Sequence, residues 1–186
     1  MEKKLSSEER RRLLEIARNA IVSCIECGTV NQCEEKQQRL QEQRGCFVCV
    51  KVDGKLRGCI GNFTADKPLH LMVQEMAVSA ATKDPRFYPM RKEDLANFDL
   101  EISVLTPLKK ISDVDEIQVG THGIYIEKNF SRGVLLPQVA VEYGWDRETF
   151  LDQTSIKAGL QPDAWKEGAD IYIFSAEVFN EGKPAA

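Results

Sequence analysis

Two alternating apolar runs joined by Asp53-Gly54 constrain this chain more than any other feature. An Asp-Gly pair suits the tight turn of a β-hairpin, whose central residues need dihedrals that most side chains resist. Residues 45–61 therefore read as two antiparallel strands, the second carrying Leu56-Arg57-Gly58-Cys59-Ile60-Gly61. A sheet begun this way needs an apolar layer to cover it, and the chain supplies helices on both sides. Ser6 with Glu9 forms a capping-box pattern, followed by the stripe Leu13, Ala17, Ala20, Ile21 and Cys24, with Gly28 placed as a C-cap. After Pro68, the positions Leu69, Val73, Met76, Ala77, Ala80 and Ala81 repeat the helical spacing.

Further along, Leu100, Ile102 and Val104 alternate with Glu101 and Ser103 as a strand that Pro107 stops. Residues 120–126 and 133–137 read as a second hairpin. Asp146 opens a helix carrying Phe150, Leu151, Thr154 and Ala158 and closed by Gly159, and residues 170–179 form one final strand. Residues 84–89, with Pro85 and Pro89, form an ordered loop. Residues 28–44 are polar and read as an expendable surface loop with a short helix. Strands outnumber the crossovers that parallel pairing needs, so the order predicts an α+β fold with mostly antiparallel sheets.

The 186 residues suffice for one large domain or two small interlocked lobes. A net charge of −4 counts against a nucleic-acid binder, which needs clustered Lys and Arg. The one basic run, Arg10-Arg11-Arg12, follows Glu8-Glu9 and reads as a solvated helix face. No segment reaches the roughly 18 apolar residues of a membrane span. Met1-Glu2-Lys3-Lys4 leads into charge rather than a secretory apolar core, so a cytoplasmic protein with reduced thiols is expected.

Six cysteines, at 24, 27, 33, 46, 49 and 59, raise three readings. The disulfide reading is weak without a secretory signal. Cys24/Cys27 and Cys46/Cys49 have the spacing of a zinc site, but residues i and i+3 of a strand face opposite ways, and Phe47-Val48 makes no turn. No metal is therefore assigned, and small buried apolar roles are expected for most of these thiols.

Candidate chemistry centres on Cys59. Gly58 and Gly61 allow close backbone approach, and a neighbouring guanidinium, Arg57, favours the thiolate. The competing reading is a buried cysteine whose glycines serve packing alone. His122, before Gly123 in a polar turn, is the candidate acid/base, against the simpler role of a hydrogen-bonded turn residue. His70 reads as ordinary. Arg86 could clamp a carboxylate or phosphate, or pair with Asp84 to order the loop. Glu101, Gln138, Glu142 and Lys157 are further polar residues at element ends or in loops, with Glu101 able simply to face solvent. The Gly54, Gly58 and Gly61 spacing is no dinucleotide fingerprint.

These strings together resemble the AMMECR-one domain family, called AmmeMemoRadiSam system protein A in prokaryotes. The carrying segments are Leu56-Arg57-Gly58-Cys59-Ile60-Gly61, Asp84-Pro85-Arg86-Phe87, Glu101-Ile102-Ser103-Val104-Leu105-Thr106-Pro107, His122-Gly123-Ile124, Leu135-Leu136-Pro137-Gln138-Val139-Ala140, and Lys157-Ala158-Gly159-Leu160 followed by Trp165. The resemblance implies a duplicated unit with exchanged C-terminal strands, and two unequal lobes meeting at a cleft. It implies Memo-like and radical-SAM proteins as partners and no established activity or cofactor. Members often carry His-Thr-Cys where this chain has Gln153-Thr154-Ser155. The expected reading is a cleft protein that modifies a small molecule, with Cys59 reactive, His122 as acid/base, and Arg57, Asp84, Arg86 and Gln138 binding substrate. The alternative is a non-catalytic scaffold, and a nucleic-acid-associated factor comes third.

Overall fold

The computed structural model describes residues 4–181, so the start Met1-Glu2-Lys3 lies outside the described residues. The chain divides into two compact units, one of residues up to Leu105 together with those from Glu177 onward, the other Thr106–Ala176.

In the first unit, α1 (Ser7–Cys27) begins at the expected capping box, with Ser6 and Glu9 each serving the other's backbone, and ends at Gly28 with φ 71°. Its Leu13, Ala17, Ala20 and Ile21 are buried. The hairpin forms β1 (Cys46–Val52) and β2 (Lys55–Asn62). Then come α2 (Leu69–Thr82) and β3 (Phe98–Leu105). The core packs α1 and α2 onto one sheet face through Val48, Val50, Leu100, Ile102, Met72 and Val73.

The second unit contains β4 (Lys109–Ile111), β5 (Gly123–Lys128) and β6 (Ser131–Leu135), the last two joined as the second expected hairpin. The helices α3 (Pro137–Glu142) and α4 (Arg147–Lys157) follow, and β7 (Asp170–Phe174) closes the unit. Asp146 caps α4 through the Thr149 amide. Ile124, Ile126, Phe150, Leu151 and Ile173 form a separate core.

The single strand expected over 170–179 is two strands in two sheets. At Ser175 the chain leaves β7 and continues as β8 (Ala176–Asn180) in the first unit's sheet. The sheet orders are β2-β1-β3-β8 and β4-β7-β5-β6. In each, a hairpin's first strand sits between its second strand and the strand that follows the helices. The fourth place is exchanged: β4 follows β3 but pairs with β7, and β8 follows β7 but lies beside β3. The break is held because the Thr106 amide donates to the Ser175 carbonyl at 2.9 Å and the Ser175 amide to Thr106 Oγ1 at 2.8 Å.

The duplication extends to a packing detail. A Cβ on Gly58 of β2 would lie 1.9 Å from the Ala80 carbonyl oxygen of α2. A Cβ on Gly133 of β6 would lie 2.5 Å from both the Thr154 carbonyl oxygen and the Ala158 nitrogen at α4. Both hairpins thus press a glycine directly onto helix backbone.

Residues 28–44 are anchored more firmly than an expendable loop. Leu40, in a short 3₁₀ turn (Gln38–Gln41), is fully buried, and its carbonyl meets His70 Nδ1 at 2.9 Å. The side chain of Arg44 is only 2% exposed and pairs with Glu177 at 3.6 Å. The arginines of α1 are likewise engaged rather than merely solvated: Arg12 pairs with Glu35 at 2.8 Å and Arg10 with Glu177 at 3.2 Å.

Among the described residues one buried hydroxyl is unsatisfied. Ser155 is fully buried in α4, and its Oγ has no hydrogen-bond partner. Removing an unpaired buried polar group relieves its desolvation cost. Ser155→Ala is therefore expected to raise stability by about 1 kcal/mol, readable as a higher urea midpoint. A lower midpoint would show that this hydroxyl is satisfied in solution.

Candidate functional site

Cys59 lies within β2, not in a turn, and a β-bulge decides what it faces. From the Asp53-Gly54 turn, Val52 pairs with Lys55 and Lys51 with Leu56. Continued without interruption, that register would set Cys59 across from Val48. The ladder instead shifts between Val50 and Lys51, Arg57 is left without a partner in the register, and Val50 pairs with Gly58. One extra residue therefore brings Cys59 opposite Cys49 and onto the same face. The two are joined as a disulfide with a Cα–Cα separation of 4.0 Å. This corrects the expectation of reduced thiols for this pair. Cys46, by contrast, points into the core, so Cys46 and Cys49 do face opposite ways. Burial pushes the Cys46 thiol up to about 12, which makes it inert.

The loop of residues 84–89 caps β2 at this point. β2 is an edge strand, and the backbone of Cys59 faces away from β1. Its amide donates to Asp84 Oδ2 at 2.9 Å, and its carbonyl accepts from Arg86 Nη2 at 3.2 Å. Asp84 is buried and also accepts from Arg86 Nε at 3.0 Å, Nη2 at 2.7 Å and the Arg86 amide at 3.1 Å. The Arg86 guanidinium is thus committed along one edge to Asp84, while its side chain remains 58% exposed. Arg57, displaced by the bulge, donates to the Pro89 carbonyl at 3.2 Å and lies 3.9 Å from Asp94. Two of the sequence's unusual strings therefore meet at one backbone position.

Hydrogen bonds from Arg86, aided by the Cys59 and Arg86 amides and opposed by burial, hold the Asp84 carboxyl well below the usual range. A carboxyl depressed in the folded state stabilises it in full above the ordinary aspartate value of about 4 and loses that contribution as pH falls through the lower folded value. The stability gap between wild type and Asp84→Asn should therefore narrow in urea titrations as the pH falls below about 4. A gap independent of pH would contradict the ion pair.

Beyond the pair, the face of Cys49 and Cys59 carries Glu101 of β3, directly opposite Cys49 of β1 in the register, with Lys51 Nζ 3.7 Å from its carboxylate. Phe47, on the same face, packs its ring over Gly61 and meets Phe63 edge-on at 4.8 Å. Glu101, whose strand parity would also let it simply face solvent, is half-buried beside the disulfide.

The site residues divide between the units. Arg57, Cys59, Asp84 and Arg86 gather in the first. His122 and Gln138 belong to the second. His122 closes a turn: its amide donates to the Gln118 carbonyl at 2.9 Å and its Nδ1 accepts from the Gln118 amide at 3.2 Å. Gln138 is exposed near the start of α3. Among the described residues no helix is long and apolar enough to cross a membrane.

Two sheets of exchanged strands, with a cysteine on an edge strand gripped by an Asp-Pro-Arg loop, define an α+β protein of two duplicated units. The chain belongs to the AMMECR1 family, whose profile matches residues 14–179. It is 45% identical over 194 aligned residues to Protein MK0488 of Methanopyrus kandleri, covering 99% of this chain and 94% of that protein. Protein MJ0810 of Methanocaldococcus jannaschii is 45% identical over 160 residues, 81% of this chain and 80% of the relative. Among solved structures, uncharacterized protein PH0010 from Pyrococcus horikoshii matches with a TM-score of 0.85 at 38% identity, over 98% of this chain and 96% of that one.

Proposed function

We propose that the chain is a thiol-using protein whose working group is Cys59, acting on a small molecule alongside Memo-like and radical-SAM partners. One observation carries the reading. Cys59 is held at both its amide and its carbonyl by the Asp84-Arg86 pair, so its sulfur is positioned from the backbone outward. The Arg86 side chain, 58% exposed, donates to the carbonyl of this residue, where an anionic or carbonyl group of a substrate can reach it.

Alkylation of the fully reduced protein tests this, with each cysteine followed by peptide mass. Cys59 should react faster than Cys24, Cys27 and Cys33 near neutral pH, while buried Cys46 stays unlabelled. A Cys59 rate no greater than that of exposed Cys27 would remove the thiol from the working role.

A scaffold reading draws support from a different observation. Gly58 and Gly61 both lie where a Cβ would strike neighbouring atoms, so packing alone requires them. On this reading Cys59→Ser lowers stability and leaves co-purification with partners intact.

A further inference from the structure

We infer that Cys49 and Cys59 form a reversible two-electron couple that exchanges with disulfides and dithiols. The inference rests on reading Cys59 as the reactive thiol and adds its reaction partner: a disulfide when the site is reduced, a dithiol when it is oxidised.

Three observations support the couple. The two residues are direct cross-strand partners in the structure, linked at a Cα–Cα separation of 4.0 Å. Both are half-buried on the sheet face opposite the α1/α2 core, so the bond is not sealed inside the protein. Its formation depends on the Arg57 bulge, since the uninterrupted register would leave the two cysteines on opposite faces. The closed loop spans only 10 residues and lies within one hairpin, whose β1 strand is also fixed by pairing with β3. Opening the bond therefore leaves the register to the turn and the sheet.

Position in the sheet assigns the two roles. Charge does not separate the two cysteines, since Arg86 beside Cys59 is paired with Asp84 and Glu101 across from Cys49 is paired with Lys51. Cys59 is on the edge strand, where an incoming disulfide reaches it first, and Cys49 is on an inner one, placed to resolve the mixed disulfide.

Starting from the reduced site, the Cys59 thiolate attacks one sulfur of an incoming disulfide RSSR. A Cys59–SR bond forms, and RS⁻ departs with the electron pair of the old S–S bond. Cys49 then gives up its proton, attacks the Cys59 sulfur, and expels the second RS⁻. The two protons from the protein thiols end on the two released thiolates. The protein has lost two electrons and two protons, and RSSR has become two RSH. The reverse sequence reduces the site with a dithiol.

The test uses the full chain, reduced with dithiothreitol and freed of it, then mixed with oxidised glutathione in one arm and insulin, as a protein disulfide, in the other. Products are read by intact mass and peptide mapping. In at least one arm, wild type should finish two hydrogen masses lighter, with Cys49 and Cys59 bridged and no glutathione or insulin chain retained. With the productive oxidant, Cys49→Ser should stop as a mixed disulfide on Cys59, and Cys59→Ser should load Cys49 at least about tenfold more slowly. Productive exchange with glutathione alone makes the substrate a small disulfide, and with insulin alone a protein disulfide.

Wild type that keeps a mixed disulfide in both arms, bridges other cysteines, or does not react overturns the couple without needing either variant. Equal loading of the two serine variants overturns the assigned roles. Rapid alkylation of Cys59 with no bridge formed leaves the reactive-thiol reading standing and sinks only the couple. Slow alkylation of Cys59 sinks that reading itself.

Discussion

Gly58→Ala is expected to lower the melting temperature by about 10 °C or to prevent the first unit from folding. The new Cβ would sit 1.9 Å from the Ala80 carbonyl oxygen and 2.8 Å from its carbonyl carbon. Both are backbone atoms of α2, so no rotamer change relieves the clash. The helix and sheet must part, loosening the contact that buries Val50, Val73 and Ala77. Overpacking costs about 1–3 kcal/mol and occasionally more. A backbone-to-backbone clash belongs at the top of that range or above it, about 3 kcal/mol or more. For a chain of this size each kcal/mol moves the midpoint by about 2–4 °C. Gly54→Ala is the control. Its φ of 74° makes it a strained site, but no atom stands within 4 Å of an added Cβ, so it should lose only about 1–2 kcal/mol. Thermal melts followed by circular dichroism compare the two. Equal midpoints would refute the close approach of β2 to α2. Gly133→Ala should repeat the effect in the second unit, where Thr154 and Ala158 take the place of Ala80.

Glu177→Ala is expected to cost about 3–5 kcal/mol, the usual penalty for leaving a buried charge unpaired. Glu177 Oε2 accepts from the Leu5 amide at 2.9 Å and from Arg10 Nη2 at 3.2 Å, while Oε1 lies 3.6 Å from Arg44 Nη2. Arg44 is the decisive member. Its Nε donates to the Leu105 carbonyl at 3.0 Å, but among the described residues Nη1 and Nη2 have no hydrogen-bond partner and Glu177 is the carboxylate that balances their charge. Urea titration measures the loss. Removing both charges, as Arg44→Met with Glu177→Leu, should recover most of it, because well-packed apolar side chains often replace a buried ion pair without penalty. A Glu177→Ala protein with an unchanged midpoint would mean that water reaches Arg44.

Elements with local signals were legible in the sequence. Ser6, Glu9 and Gly28 delimit α1, Asp53-Gly54 marks the first hairpin, and Asp146 and Gly159 bracket α4. What stayed hidden depends on partners distant in the chain. Residues 170–179 alternate almost without a break, and only the Thr106–Ser175 hydrogen bonds reveal where one strand becomes two. The Cys49–Cys59 pairing was concealed by the bulge, because counting outward from the turn places the two cysteines out of register. Asp84 and Arg86 could be matched as an ion pair from their spacing. Their grip on the Cys59 backbone could not, since it spans 25 and 27 residues. The motif glycines fit either ligand approach or packing alone, and the sequence does not decide between them; at Gly58 what approaches is helix α2.

The exchanged fourth strands set an order of assembly during synthesis. The β3 edge emerges from the ribosome long before β8, which supplies its neighbour in the sheet. Until then that edge presents unpaired backbone groups to any other extended chain, and Arg44 waits for Glu177. The intervening unit, Thr106–Ala176, can meanwhile gather its own core, but its sheet includes β4, which directly follows β3 in the chain. A nascent chain stalled anywhere before Glu177 would therefore carry an open sheet, making the docking of β8 the step that protects the nascent protein from aggregation and proteolysis.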